Sequence, residues 1–104
     1  MNDAISVFDQ KSLSYTYENG WSFTNFFDGY TRISEMESRG TLHEIVTVIE
    51  ISDGVYFLTW EDEQMGALTQ LIDIPNKRIF AAVPWEGKME IWPAVITKFC
   101  EGRV

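Results

Sequence analysis

Short runs of aromatic and β-branched residues recur along this chain, separated by residue pairs that accept a positive φ. The runs cover positions 13–17, 21–26, 30–36, 41–51, 55–60, 67–73, 78–83 and 89–99. Between them stand Asn19-Gly20, Asp28-Gly29, Asp53-Gly54, Pro75-Asn76 and Glu86-Gly87, most of which close tight hairpins. This punctuation predicts an all-β chain of about eight strands. Within the run 55–60, Tyr56, Leu58 and Trp60 fall on one face, while Val55, Phe57 and Thr59 fall on the other, the period of two expected of a strand. Apolar groups on both faces demand burial on both, and a closed or strongly curled sheet provides it while hiding its edges. The expected fold is therefore a small antiparallel up-and-down β-barrel of the lipocalin-like kind, wide enough for one small ligand.

Two stretches test this reading. Leu42, Ile45, Val46 and Ile49 follow a helical spacing, yet Ile45-Val46-Thr47-Val48-Ile49 is an unbroken apolar and β-branched run. Its stiff χ1 angles favour a pleated surface, so strand is the preferred assignment over helix. Pro93 interrupts the last apolar run and lacks a ladder donor, which predicts an edge strand or a bulge at that position. Residues 1–11 are expected to be an N-terminal extension, either a short helix or a frayed end.

Composition narrows the classes of function. The 104 residues fit one domain, because a second core would be too small to stand alone. Apolar residues at 45% supply material for a packed interior and argue against disorder. Sixteen acidic against eight basic side chains give a net charge of −8, a field that repels nucleic-acid backbones and anionic membrane surfaces. No apolar run approaches the roughly 20 residues of a membrane span. Residues 1–11 do not read as a secretory signal, and Cys100 is the single cysteine; both favour a reducing, cytoplasmic setting.

The residues with potential chemistry are few. Tyr15 and Tyr17 share a face by strand parity, so two phenols can grip one ligand while their rings supply apolar wall. Packing as core aromatics before a tight turn is the plainer account of both. Trp60 and Asp62 share a face at the end of the fifth run, and a carboxyl among aromatics would be a proton donor. Equally, Glu61, Asp62 and Glu63 form an ordinary acidic turn. Arg39 could neutralise an anionic ligand through a bidentate contact, or be a solvated turn arginine. Tyr56 and Leu58 are further candidates for apolar wall. His43 is the one histidine, which rules out a histidine-based triad or a multi-histidine metal site within one chain and favours a structural role. Cys100 has no base beside it in sequence and reads as inert. Phosphate loops, dinucleotide fingerprints and calcium loops are missing from the sequence, and no metal site is expected.

Three runs in this order resemble the phenolic acid decarboxylases and the related lipocalin-like MoaF proteins: Tyr15-Thr16-Tyr17-Glu18-Asn19-Gly20-Trp21, Asp53-Gly54-Val55-Tyr56-Phe57-Leu58-Thr59-Trp60, and Ile74-Pro75-Asn76-Lys77-Arg78-Ile79. Trp92-Pro93-Ala94-Val95-Ile96-Thr97 is a weaker match. The resemblance implies a lipocalin-like barrel, usually dimeric, that uses no cofactor and decarboxylates a hydroxycinnamic acid through a quinone-methide-like intermediate. It places Tyr15 and Tyr17 on the substrate-positioning tyrosines, Arg39 close to a pocket arginine, and Asp62 where the family carries a glutamate acid. An aspartate there is one methylene short, and a displacement of about 1 Å can cost on the order of a hundredfold in rate.

Three expectations follow. The first is a barrel that binds a small aromatic or anionic molecule without turnover, through Tyr15, Tyr17, Trp60, Arg39, Tyr56 and Leu58. Another is a carboxy-lyase with Asp62 and Arg39 as catalytic groups. The last is a pocketless homodimeric interaction module with an apolar outer face.

Overall fold

The structure, a computed structural model, describes residues 4–36 and 40–103. Nine antiparallel strands form one sheet: β1 (Lys11–Tyr17), β2 (Ser22–Asp28), β3 (Thr31–Met36), β4 (Gly40–Ile45), β5 (Thr47–Ser52), β6 (Val55–Asp62), β7 (Gly66–Asp73), β8 (Arg78–Trp85) and β9 (Lys88–Glu101). Their order across the sheet is β4-β3-β2-β1-β9-β8-β7-β6-β5. The sheet curls into a half-barrel whose two edge strands, β4 and β5, are joined through the single residue Val46. This is the small antiparallel barrel expected from the turn spacing, with nine strands in place of about eight.

The extra strand comes from the run 41–51, which is strand and not helix, as its branched side chains require, but is divided at Val46. Val46 is buried, and its N–H donates to the Tyr30 carbonyl at 2.8 Å. The chain thereby finishes its pairing with β3 and steps across to the other edge, where β5 pairs only with β6.

Alternation sets which side chains enter the barrel. Leu13, Tyr15 and Tyr17 on β1, Tyr56, Leu58 and Trp60 on β6, Ile72 on β7, Ile79, Ala81 and Val83 on β8, and Ala94 and Ile96 on β9 are buried together. Burying each large side chain among them is worth about 1.5–3 kcal/mol. The extension contributes a 3-10 helix, Ala4–Val7, followed by Phe8, which is fully buried. Phe8 fills one end of the barrel against Phe27, Tyr56 and Phe99, with ring centroids 5.3, 5.2 and 5.8 Å away. The opposite end is left to the site.

Pro93 departs from expectation. It lies on β9, an interior strand flanked by β1 and β8, and pairs in regular register with Phe80. Its carbonyl accepts from Glu18 N–H at 3.0 Å, just past the last β1 pair, Tyr17↔Ala94. The missing donor therefore faces the β1–β2 turn, where no ladder bond is lost. The shift in β1–β9 register comes further along, between Ser14↔Lys98 and Tyr15↔Ile96. At the β5–β6 turn, Gly54 takes φ 78°, and a Cβ there would stand 2.7 Å from Pro75 Cγ, so both conformation and space call for glycine.

Candidate functional site

A cavity of about 90 Å³ lies inside the barrel toward the ends of β1 and β6. Tyr15, Tyr17, Trp60 and Asp62, all singled out from the sequence, line it together. Strand parity explains the two tyrosines: both point inward, with ring centroids 5.5 Å apart and planes at 87°. The regular β6–β7 register continues through Asp62↔Gly66, so no bulge turns Asp62 away from the face of Trp60.

Polar contacts order the interior. Tyr15 Oη donates to Asn25 Oδ1 at 2.8 Å, and Asn25 Nδ2 donates to Ser34 Oγ at 2.8 Å. Arg32, buried on β3, donates from Nε to Asn25 Oδ1 at 3.2 Å and from Nη2 to Tyr15 Oη at 3.3 Å. Its Nη1 pairs with Glu44 Oε1 on β4, and its guanidinium carbon stands 4.0 Å from the Trp60 ring centroid, a cation–π contact shielded from water. Gln70 Nε2 donates to Tyr17 Oη at 3.0 Å. Burial pushes the Tyr17 phenol well above its ordinary pKa and the neighbouring Tyr15 adds to the rise, while the Gln70 bond and the Arg32 charge oppose it.

Asp62 is buried, and its Oδ1 accepts from the backbone N–H groups of Gln64 and Met65 at 2.8 and 3.0 Å. The carboxylate thus organises the β6–β7 turn as well as facing the cavity. Trp60 is 7% exposed, and its Nε1 is the one buried side-chain polar atom among the described residues that lacks a hydrogen-bond partner. An orphaned buried donor of this kind costs about 1–3 kcal/mol.

The remaining sequence candidates fall elsewhere. Arg39 lies outside the described residues. Leu58 is fully buried and Tyr56 packs on Phe8, both away from the cavity. Burial and the Glu50 carboxylate raise the Tyr56 phenol. His43 is exposed on β4, and Cys100 is half-buried. Sequence reasoning missed Arg32, Glu44, Asn25 and Ser34. One signal was available: Arg32 and Ser34 alternate with Ile33 directly after the Asp28-Gly29 turn, which sets a charged residue on the inward face.

Compared with protein-family models and with curated proteins, the chain matches none.

Proposed function

We propose that this barrel binds a small, uncharged aromatic molecule in the cavity bounded by Tyr15, Tyr17, Arg32, Trp60 and Asp62, without transforming it. The observation that carries this reading is the Trp60 indole N–H, buried without an acceptor on a side chain that borders the cavity. A ligand oxygen or nitrogen would supply that acceptor, while Leu42, Leu68 and Val83 give apolar contact. Formal charge favours a neutral ligand over an anionic one: Arg32 contributes one positive charge, already matched by Glu44, and Asp62 adds a further negative one. Volume limits size. At about 90 Å³ the cavity is smaller than the roughly 150 Å³ void that holds benzene, so the ligand is at most a single small ring, and its entry requires the cavity wall to yield.

Thermal-shift and saturation-transfer NMR screening with phenol, p-cresol and benzoate tests the proposal. The phenols are expected to raise the unfolding midpoint more than benzoate does, and Trp60→Phe is expected to weaken their binding about tenfold, the loss of one hydrogen bond. The reading falls if no compound binds or if Trp60→Phe binds the phenols as well as the parent.

The carboxy-lyase reading, with its likeness to the phenolic acid decarboxylases, has one supporting observation: buried Asp62 borders the same cavity as both tyrosines. Loss of p-coumarate absorbance beyond buffer controls, abolished in Asp62→Asn, would replace binding with catalysis. Homodimer formation is favoured by the outer face. There Ile49, Phe57, Leu71, Phe80 and Pro93 align in register across β5 to β9 as an apolar stripe, with Ile49 and Phe57 exposed.

A further inference from the structure

Outside the cavity, at the rim formed by the β1–β2 turn and the β8–β9 hairpin, lies an open groove of about 370 Å³. Tyr17, Trp21, Trp85 and Trp92 supply its aromatic walls, and Glu18 and Glu90 its carboxylates. The three indoles meet one another steeply. Trp21 and Trp85 are inclined at 78°, Trp21 and Trp92 at 85°, and Trp85 and Trp92 at 65°, with centroids 5.9, 5.6 and 5.3 Å apart. Tyr17 adds a fourth ring at 76° to Trp92. Centroids this close set the rings edge to face against one another, a packed cluster whose outer surface borders the open groove and offers a cation π surface from one side.

The carboxylates give the groove its sign. Glu90 Oε1 accepts from Trp92 Nε1 at 2.9 Å, which fixes a negative charge beside the indole it would assist. Lys88 reaches Glu90 Oε2 only at 3.8 Å with its side chain 72% exposed, an ion pair that water weakens. Four cation–π contacts occur among the described residues, made by Lys11, Arg32, Arg78 and Arg103 on other rings, so no internal cation occupies these tryptophans. With the chain at −8, an anionic ligand would be repelled. A bare metal ion or small ammonium would give up hydration that aromatic walls do not replace. An alkylated ammonium is weakly hydrated, has an apolar skin to lie on indole and keeps a positive charge for Glu18 and Glu90.

We propose that this groove, which adjoins the inner cavity and shares Tyr17, Trp21 and Trp92 with it, is a binding site for an alkylated ammonium group. The test titrates choline into the whole chain at constant ionic strength, followed by tryptophan fluorescence and NMR shift changes. Its uncharged isostere, 3,3-dimethylbutan-1-ol, is the comparison. Choline is expected to saturate and to bind at least about tenfold more tightly than the isostere, as a cation–π site requires. Glu90→Gln keeps an acceptor for Trp92 and removes only charge; it is expected to weaken choline several-fold without altering the isostere. Trp85→Leu is expected to abolish selectivity, and Glu90→Gln carries the test if that variant does not fold. The proposal is overturned by equal affinities for the two probes, by no saturable choline response, or by Glu90→Gln binding choline unchanged. It is also overturned if Trp60→Phe, in the inner cavity, removes choline binding, because the cation would then sit inside the barrel.

Discussion

Tyr17 lies at the junction of cavity and groove, and its phenol is the titratable group that burial shifts most plainly upward. In the unfolded chain a tyrosine ionises near 10; in the fold it holds its proton to higher pH. Above pH 10 the unfolded state therefore binds fewer protons than the native state, and stability falls as pH rises, by up to about 1.4 kcal/mol per unit for this one group. Urea midpoints measured from pH 8 to 11 should decline more steeply in the parent than in Tyr17→Phe. Equal slopes would mean that the fold does not hold this proton. At this scale strand parity made Tyr15, Tyr17, Trp60 and Asp62 legible, because each depends only on its own strand being regular. The Arg32–Glu44 pair and Asn25 were not legible, since their partners lie on other strands and meet only once the β2–β3–β4 register is known. Arg39, the pocket cation expected from the sequence, lies outside the described residues, whereas the arginine that borders the cavity, Arg32, is neutralised across the sheet by Glu44.

Among the elements, the segment before β1 is the least readable and the most consequential for packing. The sequence allows a short helix or a frayed end; the structure makes a 3-10 turn whose following residue, Phe8, seals the barrel. Phe8→Ala is expected to cost about 3–5 kcal/mol, the usual toll of emptying a fully buried aromatic site. Chemical denaturation reads this directly, and a loss below 1 kcal/mol would mean that the extension is not docked in solution. The strands themselves were legible from their turns, since positive-φ residues occur at Gly20, Gly29, Gly54 and Gly87. The division at Val46 was not, because an uninterrupted β-branched run carries no glycine or proline to mark where pairing changes partner. Pro93 shows the converse. A proline signals a missing donor, but only the register reveals that the donor would have faced a turn.

For the molecule as a whole, the sign of the charge and the apolar outer stripe act in opposite senses. A charge of −8 keeps copies apart at low salt, whereas Ile49 and Phe57, exposed beside the free edge β5, favour association. Light scattering should accordingly show a dimer whose dissociation constant falls as salt is raised, and Phe57→Lys should hold the chain monomeric. A parent that is monomeric at all salt concentrations would rule the homodimer out. No described helix is long and apolar enough to cross a membrane. Seven of the eight ladders join strands consecutive in sequence, and the remaining one joins β1 to β9. Two meanders, either side of Val46, can thus zip up quickly on their own, leaving a single large loop to be closed at the centre of the sheet. That closure is the longest-range step of assembly, so the ladder carrying both cavity-facing tyrosines is also the one whose pairing sets how fast the protein becomes itself.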